Sequence, residues 1–247
     1  MLDNQPPKSQ IKSRQRVADH GEVFTNPREV NAMLDLVRDE SFRLDSRFLE
    51  PACGDGNFLI EILRRKLSLL KDIKSQTEWE FKSLIAVGSC YGIDILPDNA
   101  EACRTRLEEY VLSQHPASER LNAHSAINTV QAKRSAVEET HAPYEHLEEM
   151  RQEPYLLSLR YMLQKNIVCG DALTYRSAEN KPISFCEWTP IAGSMQFSRR
   201  DFQFDFLVTQ SHQYSLFDEQ GEPQSFDEPV RTYPPLHYTQ LYRYDTL

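Results

Sequence analysis

Residues 48–58 constrain the fold of this chain more than any other stretch. Phe48-Leu49-Glu50-Pro51-Ala52-Cys53-Gly54-Asp55-Gly56-Asn57-Phe58 is a short apolar run ending in an acid, then a glycine-punctuated turn, then the start of an amphipathic helix. That order reads as strand, loop, helix. Gly54 and Gly56 carry no Cβ, so the backbone is free to turn tightly and to approach a small ligand closely. The same glycines also suit a loop that needs them for geometry alone. Phe58, Leu59, Ile62, Leu63, Lys66, Leu67 and Leu70 continue as an apolar stripe along a helix of about fourteen residues.

Two later segments repeat the pattern of a buried strand that ends in an acid. Cys90-Tyr91-Gly92-Ile93-Asp94 is followed by Ile95, Leu96 and a helix that Pro97 starts, with Ala100, Cys103, Leu107, Tyr110 and Val111 on its buried face. Asn166-Ile167-Val168-Cys169-Gly170-Asp171-Ala172-Leu173 is the third strand and its exit. Glu50, Asp94 and Asp171 therefore form one side of a pocket at the carboxyl edge of a sheet, where open α/β sheets bind ligands. An acid at the end of the second strand is placed to accept hydrogen bonds from ribose hydroxyls, although a solvated strand-end Asp would also account for Asp94.

Glu50-Pro51-Ala52-Cys53-Gly54-Asp55-Gly56 resembles motif I of S-adenosylmethionine (SAM)-dependent DNA methyltransferases, in particular the adenine-N6 enzymes of restriction-modification systems. Gly92-Ile93-Asp94-Ile95 resembles motif II and Gly170-Asp171-Ala172-Leu173 motif III. Val23-Phe24-Thr25-Asn26-Pro27 resembles motif X, usually written Phe-Thr-Pro, with Asn26 inserted before the proline. The resemblance implies an α/β, Rossmann-like SAM-dependent methyltransferase fold over residues 20–215: a central, mostly parallel sheet flanked by helices, truncated or modified on its C-terminal side. It implies SAM as the cofactor. Thr25, Glu50, Ala52, Cys53, Gly54 and Gly56 would surround the methionine part, Asp94 the ribose, Asp171 the adenine amino group, and Ile95 and Leu173 the adenine ring. The helix that follows the loop would turn its N-terminal amides toward the SAM carboxylate.

The resemblance fails at one motif. Adenine-N6 enzymes carry Asn-Pro-Pro-Tyr or Phe after the fourth strand, where an amide and a proline carbonyl hold the target amine and the aromatic stacks on the flipped base. Here the expected fourth strand is Phe204-Asp205-Phe206-Leu207-Val208-Thr209, followed by Gln210-Ser211-His212-Gln213-Tyr214. Gln210 and Tyr214 are the candidate catalytic residues. Gln210 is one methylene too long, Tyr214 sits one residue late and both prolines are gone, and a misplacement of about 1 Å costs on the order of 100-fold in rate. SAM binding with weak or absent methyl transfer is the expectation, either as an enzyme or as a non-catalytic subunit or defence-system module working through a partner.

Length and composition frame the rest. A chain of 247 residues with 40% hydrophobic and 26% charged residues suits one soluble domain with extensions, without a signal peptide or membrane span, in the cytoplasm. A net charge of −9 argues against gripping DNA unaided, so DNA contact is expected to need a partner subunit, within a homo- or hetero-oligomer. Residues 1–19 read as a basic flexible arm, 113–150 as a polar helical insertion and 216–247 as an acidic, Tyr- and Pro-rich tail. Asn26, Pro27 and Glu29 mark a helix start, with Val30, Met33, Leu34 and Val37 on its buried face. Residues 71–88 read as a mixed-charge helical insertion, and Ile183–Pro190 as an extra strand. Arg199 and Arg200 beside Phe202 and Phe204 suit either a nucleic-acid contact or an ordinary core strand. The five cysteines form no CxxC pair and read as small buried hydrophobes, and the scattered histidines as solvated; no metal site is expected.

Overall fold

In the computed structural model, residues 25–116, 153–205 and 229–247 are described. The short apolar runs become strands because burial on both faces is open to them. β1 (Phe48–Glu50), β2 (Cys90–Asp94) and β3 (Ile167–Asp171) lie side by side and parallel, and the short β4 (Arg176–Ser177) adds antiparallel to β3. β2, the middle strand of the parallel set, is buried at all five positions, as a strand covered on both faces must be. The fold is mixed α/β with a four-stranded, mostly parallel sheet and helices packed against it.

Register sets where the strand-end acids stand. Glu50 pairs with Gly92, two residues before Asp94, and Asp94 pairs with Cys169, two residues before Asp171. Side chains alternate faces along a strand, so offsets of two put Glu50, Asp94 and Asp171 on the same face.

The helices follow their caps and stripes. α1 (Pro27–Leu36) starts at Asn26, whose side chain accepts from the Arg28 N–H at 2.9 Å. Val30 and Leu34 are buried, but Met33 is 54% exposed within the helix, and Val37 is exposed where the helix has stopped at Leu36 and the backbone leaves helical geometry. α2 (Arg38–Ser41) leads to β1. α3 (Asn57–Leu67) is shorter than the fourteen residues expected, since Ser68–Leu70 tightens into a 3₁₀ turn. Its Lys66 is fully buried, with Nζ donating to the carbonyls of Leu44 and Ser46 and to the Ser89 hydroxyl, so the ammonium has three acceptors in place of water.

Two sequence expectations change here and a third is made specific. α4 (Gln76–Gly88) is a helix as expected, yet it is no insertion: Trp79, Leu84, Ala86 and Val87 are core residues. The expected fourth strand does not begin at Phe204. Phe204 and Asp205 take up a helical turn and Phe204 packs with Tyr91, Ile93, Ile183 and Phe185, while 206–209 lie outside the described residues. The stretch read as a tail, expected to pack on its own domain or on a partner, packs on its own domain where it is described. β5 (Ser184–Ile191), β6 (Gln196–Gln203) and β7 (Arg231–His237) form a second, antiparallel sheet, and Tyr238–Thr246 coils as a 3₁₀ segment against α6 (Pro154–Asn166).

Tyr residues in that closing segment serve as anchors. Tyr244 is fully buried and its hydroxyl donates to the Phe197 carbonyl at 2.6 Å. Arg199 is buried too, held by Asp201 through two bonds of 2.7 Å and ringed by Tyr161, Trp188, Tyr233 and Tyr244, with Tyr233 4.3 Å below the guanidinium. Arg200 pairs with Glu187. Arg199 is thus committed to the core, as in the core-strand reading of this segment, while the paired Arg200 keeps an exposed side chain.

α5 (Pro97–Gln114) takes in Ser113 and Gln114, the first residues of the expected insertion, and 117–150 lie outside the described residues, as do 1–19. His115 is buried rather than solvated: its Nε2 lies 3.1 Å from Glu80, which also accepts from Gln76 at 2.7 Å and from Tyr238 at 2.8 Å. Cys53, Cys90, Cys103 and Cys186 are buried free thiols and Cys169 is half-buried. Among the described residues, no helix is long and apolar enough to cross a membrane.

Candidate functional site

At the carboxyl ends of β1, β2 and β3 the loop after β1 arches back over the sheet. The Cys53 N–H donates to the Ile93 carbonyl at 2.8 Å, and the Gly54 N–H to Asp94 Oδ2 at 2.8 Å. Gly92 makes the close approach possible, because a Cβ there would stand 3.0 Å from both Cys53 Sγ and Leu59 Cδ1. Gly54 adopts φ 54°, the left-handed region that favours glycine. Between this loop and the ends of β2 and β3 lies a cavity of about 530 Å³, within the usual range of small-molecule sites.

Sequence-derived residues converge on it. Thr25, Glu50, Ala52, Cys53, Gly54, Asp94, Ile95, Asp171 and Leu173 all line it, and the strand order sets Asp94 between Glu50 and Asp171. Gly56 is the exception. It caps α3 at φ 92°, and a Cβ on it would stand 2.7 Å from Cys103 Sγ, so its smallness serves the packing of α5 and not the approach of a ligand. Gln210 and Tyr214 lie outside the described residues.

The three acids differ in what they have left to offer. Asp94 is 8% exposed and already accepts from Gly54 N–H, from Leu96 N–H at 2.9 Å and from Asn99 Nδ2 at 3.2 Å. A carboxylate has about four acceptor positions, so one remains for a ligand. Glu50 is half-buried and accepts one longer bond, 3.3 Å from the Ala52 N–H; burial holds its carboxyl above the usual range. Asp171 accepts from the Leu173 N–H at 2.8 Å, and that bond holds its carboxyl below the usual range. The Cys103 thiol and burial push the Cys53 thiol up, so Cys53 is a neutral wall.

Two large apolar side chains stand open beside these acids. Ile95 is 57% exposed and Leu173 89% exposed, and both line the cavity. Isolated exposed aliphatics need no explanation, but two that line the same cavity add apolar surface to it. Among the described residues that line the cavity, none is Lys, Arg or His, while three are Asp or Glu. Such a lining favours a ligand that carries positive charge and hydroxyl or amino donors, and it disfavours phosphates. Among the described residues there is no cluster of three or more potential metal ligands.

Sequence reasoning missed several contributors. Asn57, Phe58, Leu96 and Asn99 also line the cavity, and Arg106 braces the loop from outside it. A signal was present: Asn99, Cys103 and Arg106 recur at helical spacing on α5, and each meets the strand end or its loop, at Asp94, Gly56 and Asp55 respectively. No protein-family model, no curated protein and no solved structure matches the chain.

Proposed function

We propose that this chain binds S-adenosylmethionine in the cavity at the carboxyl ends of β1, β2 and β3, in the manner of Rossmann-like adenine-N6 DNA methyltransferases. The observation that carries the reading is the lining itself: three carboxylates, no basic side chain among the described lining residues, and the exposed aliphatic side chains of Ile95 and Leu173. SAM fits that chemistry. Its sulfonium and ammonium are cationic, its ribose hydroxyls and adenine amine are donors, and its adenine is flat. In this arrangement the methionine part lies by Thr25, Glu50 and Cys53, the ribose hydroxyls reach the free position on Asp94, and the adenine lies between Ile95 and Leu173 with its amine on Asp171.

Methyl transfer is the weaker half of the function. The Gln210-to-Tyr214 segment departs from Asn-Pro-Pro-Tyr in each feature that positions a flipped adenine, and this supports a SAM-binding protein of restriction-modification type that is weakly active or inactive alone. The net charge of −9 supports DNA contact through a partner subunit, within a cytoplasmic complex.

Two measurements test this. SAM should raise the melting temperature of the wild-type chain, as any ligand that binds only the folded state does, and Leu173→Glu should abolish the shift. No shift in wild type overturns the cofactor assignment. Tritiated SAM with unmethylated DNA, alone and with candidate partner proteins, then reads transfer; label in DNA with the chain alone would overturn the proposal that it is weak without a partner.

A further inference from the structure

Arg106 lies outside the cavity, yet it fixes a residue inside it. Its guanidinium donates to the Asp55 carbonyl at 2.7 Å, pairs with the Asp55 carboxylate at 2.7 Å, and donates from both Nη1 and Nη2 to Asn57 Oδ1 at 3.2 Å. A guanidinium has no acceptor, so it can face only the oxygen of the Asn57 amide. With Oδ1 held, the polar atom left to meet a ligand is Nδ2 with its two N–H donors. Asn57 lines the cavity and is the first residue of α3, so Nδ2 sits where the backbone amides of the helix start also favour negative charge.

We propose that Asn57 is a specificity residue for a ligand carboxylate, and that Arg106 is the positioning residue that makes it a donor. This rests on the SAM reading of the cavity and extends it. The three acids suit the cationic and donor groups of SAM but oppose its carboxylate. Asn57 is a side-chain amide in the cavity lining that offsets this opposition, and it does so only with its oxygen turned away. Arg106 arrives from α5, so recognition of the amino-acid part of the ligand depends on the seating of α5 against the loop.

The test compares two probes that differ at one group: SAM, and decarboxylated SAM, which keeps the sulfonium, the amine, the ribose and the adenine. Dissociation constants are measured by calorimetry for wild type, Asn57→Asp, Arg106→Met and Arg106→Lys, with circular dichroism melts to establish that each variant is folded. Asn57→Asp retains an acceptor for Arg106 but replaces the donor with a like charge. It should weaken SAM by about tenfold or more, the loss of one charge-assisted hydrogen bond, and leave decarboxylated SAM within about twofold. Arg106→Met should shift the ratio of the two affinities in the same direction, and Arg106→Lys should restore part of it. Equal weakening of both probes, or an unchanged ratio in Asn57→Asp, overturns the proposal; an unchanged ratio in Arg106→Met overturns the positioning role. Should wild type bind decarboxylated SAM and not SAM, the inference fails and SAM falls as the cofactor, while the cavity stands as a site for a cationic nucleoside. Should it bind neither, the cavity assignment itself fails.

Discussion

The three strand-end acids look alike in the sequence and behave differently in the fold. Asp94 ties the loop to β2 and to α5, so Asp94→Ala leaves the partly buried N–H groups of Gly54 and Leu96 without this acceptor. We expect it to lower the unfolding free energy by on the order of 3 kcal/mol with no ligand present, measured by urea denaturation. Any effect of that variant on SAM binding is thereby confounded. Glu50 is the cleaner probe. Its folded carboxyl lies above the usual 4.5, so the stability it contributes is present below that pH and lost as pH rises through the folded value. At neutral pH Glu50→Gln should therefore leave the unliganded protein at least as stable. Binding of a cation has the opposite sense, requiring the carboxylate, so SAM affinity should fall on acidification before pH reaches 4.5. Calorimetry across that range should show the fall in wild type and its absence in Glu50→Gln.

At the level of elements, much of the parallel sheet was legible because each of its longer strands is an apolar run with an acid and a turn signal after it. The loop after β1 and the two acids downstream located the cavity for the same reason. What escaped was everything made by contacts distant in sequence. β6 and β7 pair across the 203-to-231 gap, and polarity with proline made β7 read as tail; Pro234 and Pro235 are tolerated there on a strand that pairs on one side with β6. The Tyr-rich closing segment carried no period that distinguishes an anchor from decoration. Tyr244→Ala should cost about 3–5 kcal/mol in chemical denaturation as the loss of a large buried aromatic does, whereas Tyr244→Phe should cost about 1 kcal/mol for its one hydrogen bond to Phe197. Equal effects of the two would mean that packing of the ring contributes little.

Across the whole molecule, two sheets share one core, and α4 and α6 hold them together. Asn166 is the joint: its side chain donates toward the carbonyls of Val87, Gly88 and Cys90 and accepts from the Trp188 indole at 2.8 Å. Glu80 is a second joint, linking α4, the end of α5 at His115 and the closing segment at Tyr238. Burial pushes its carboxyl up, but bonds from His115, Gln76 and Tyr238 outweigh that and leave it below the usual range. A lowered folded value means stability present above pH 4.5 and lost as pH falls through the folded value, so melts in that acid window should drop steeply in wild type and less in Glu80→Gln.

The two-residue offsets between neighbouring strands have a consequence in length. Each acid stands about 6.6 Å further along the strand direction and about 4.8 Å sideways from the last, so Glu50, Asp94 and Asp171 lie on a diagonal some 16 Å long. The sheet edge is thus a ruler. A ligand that met all three marks would have to be elongated, with donors spread along its axis, whereas a compact ligand of the same charge would reach fewer of them.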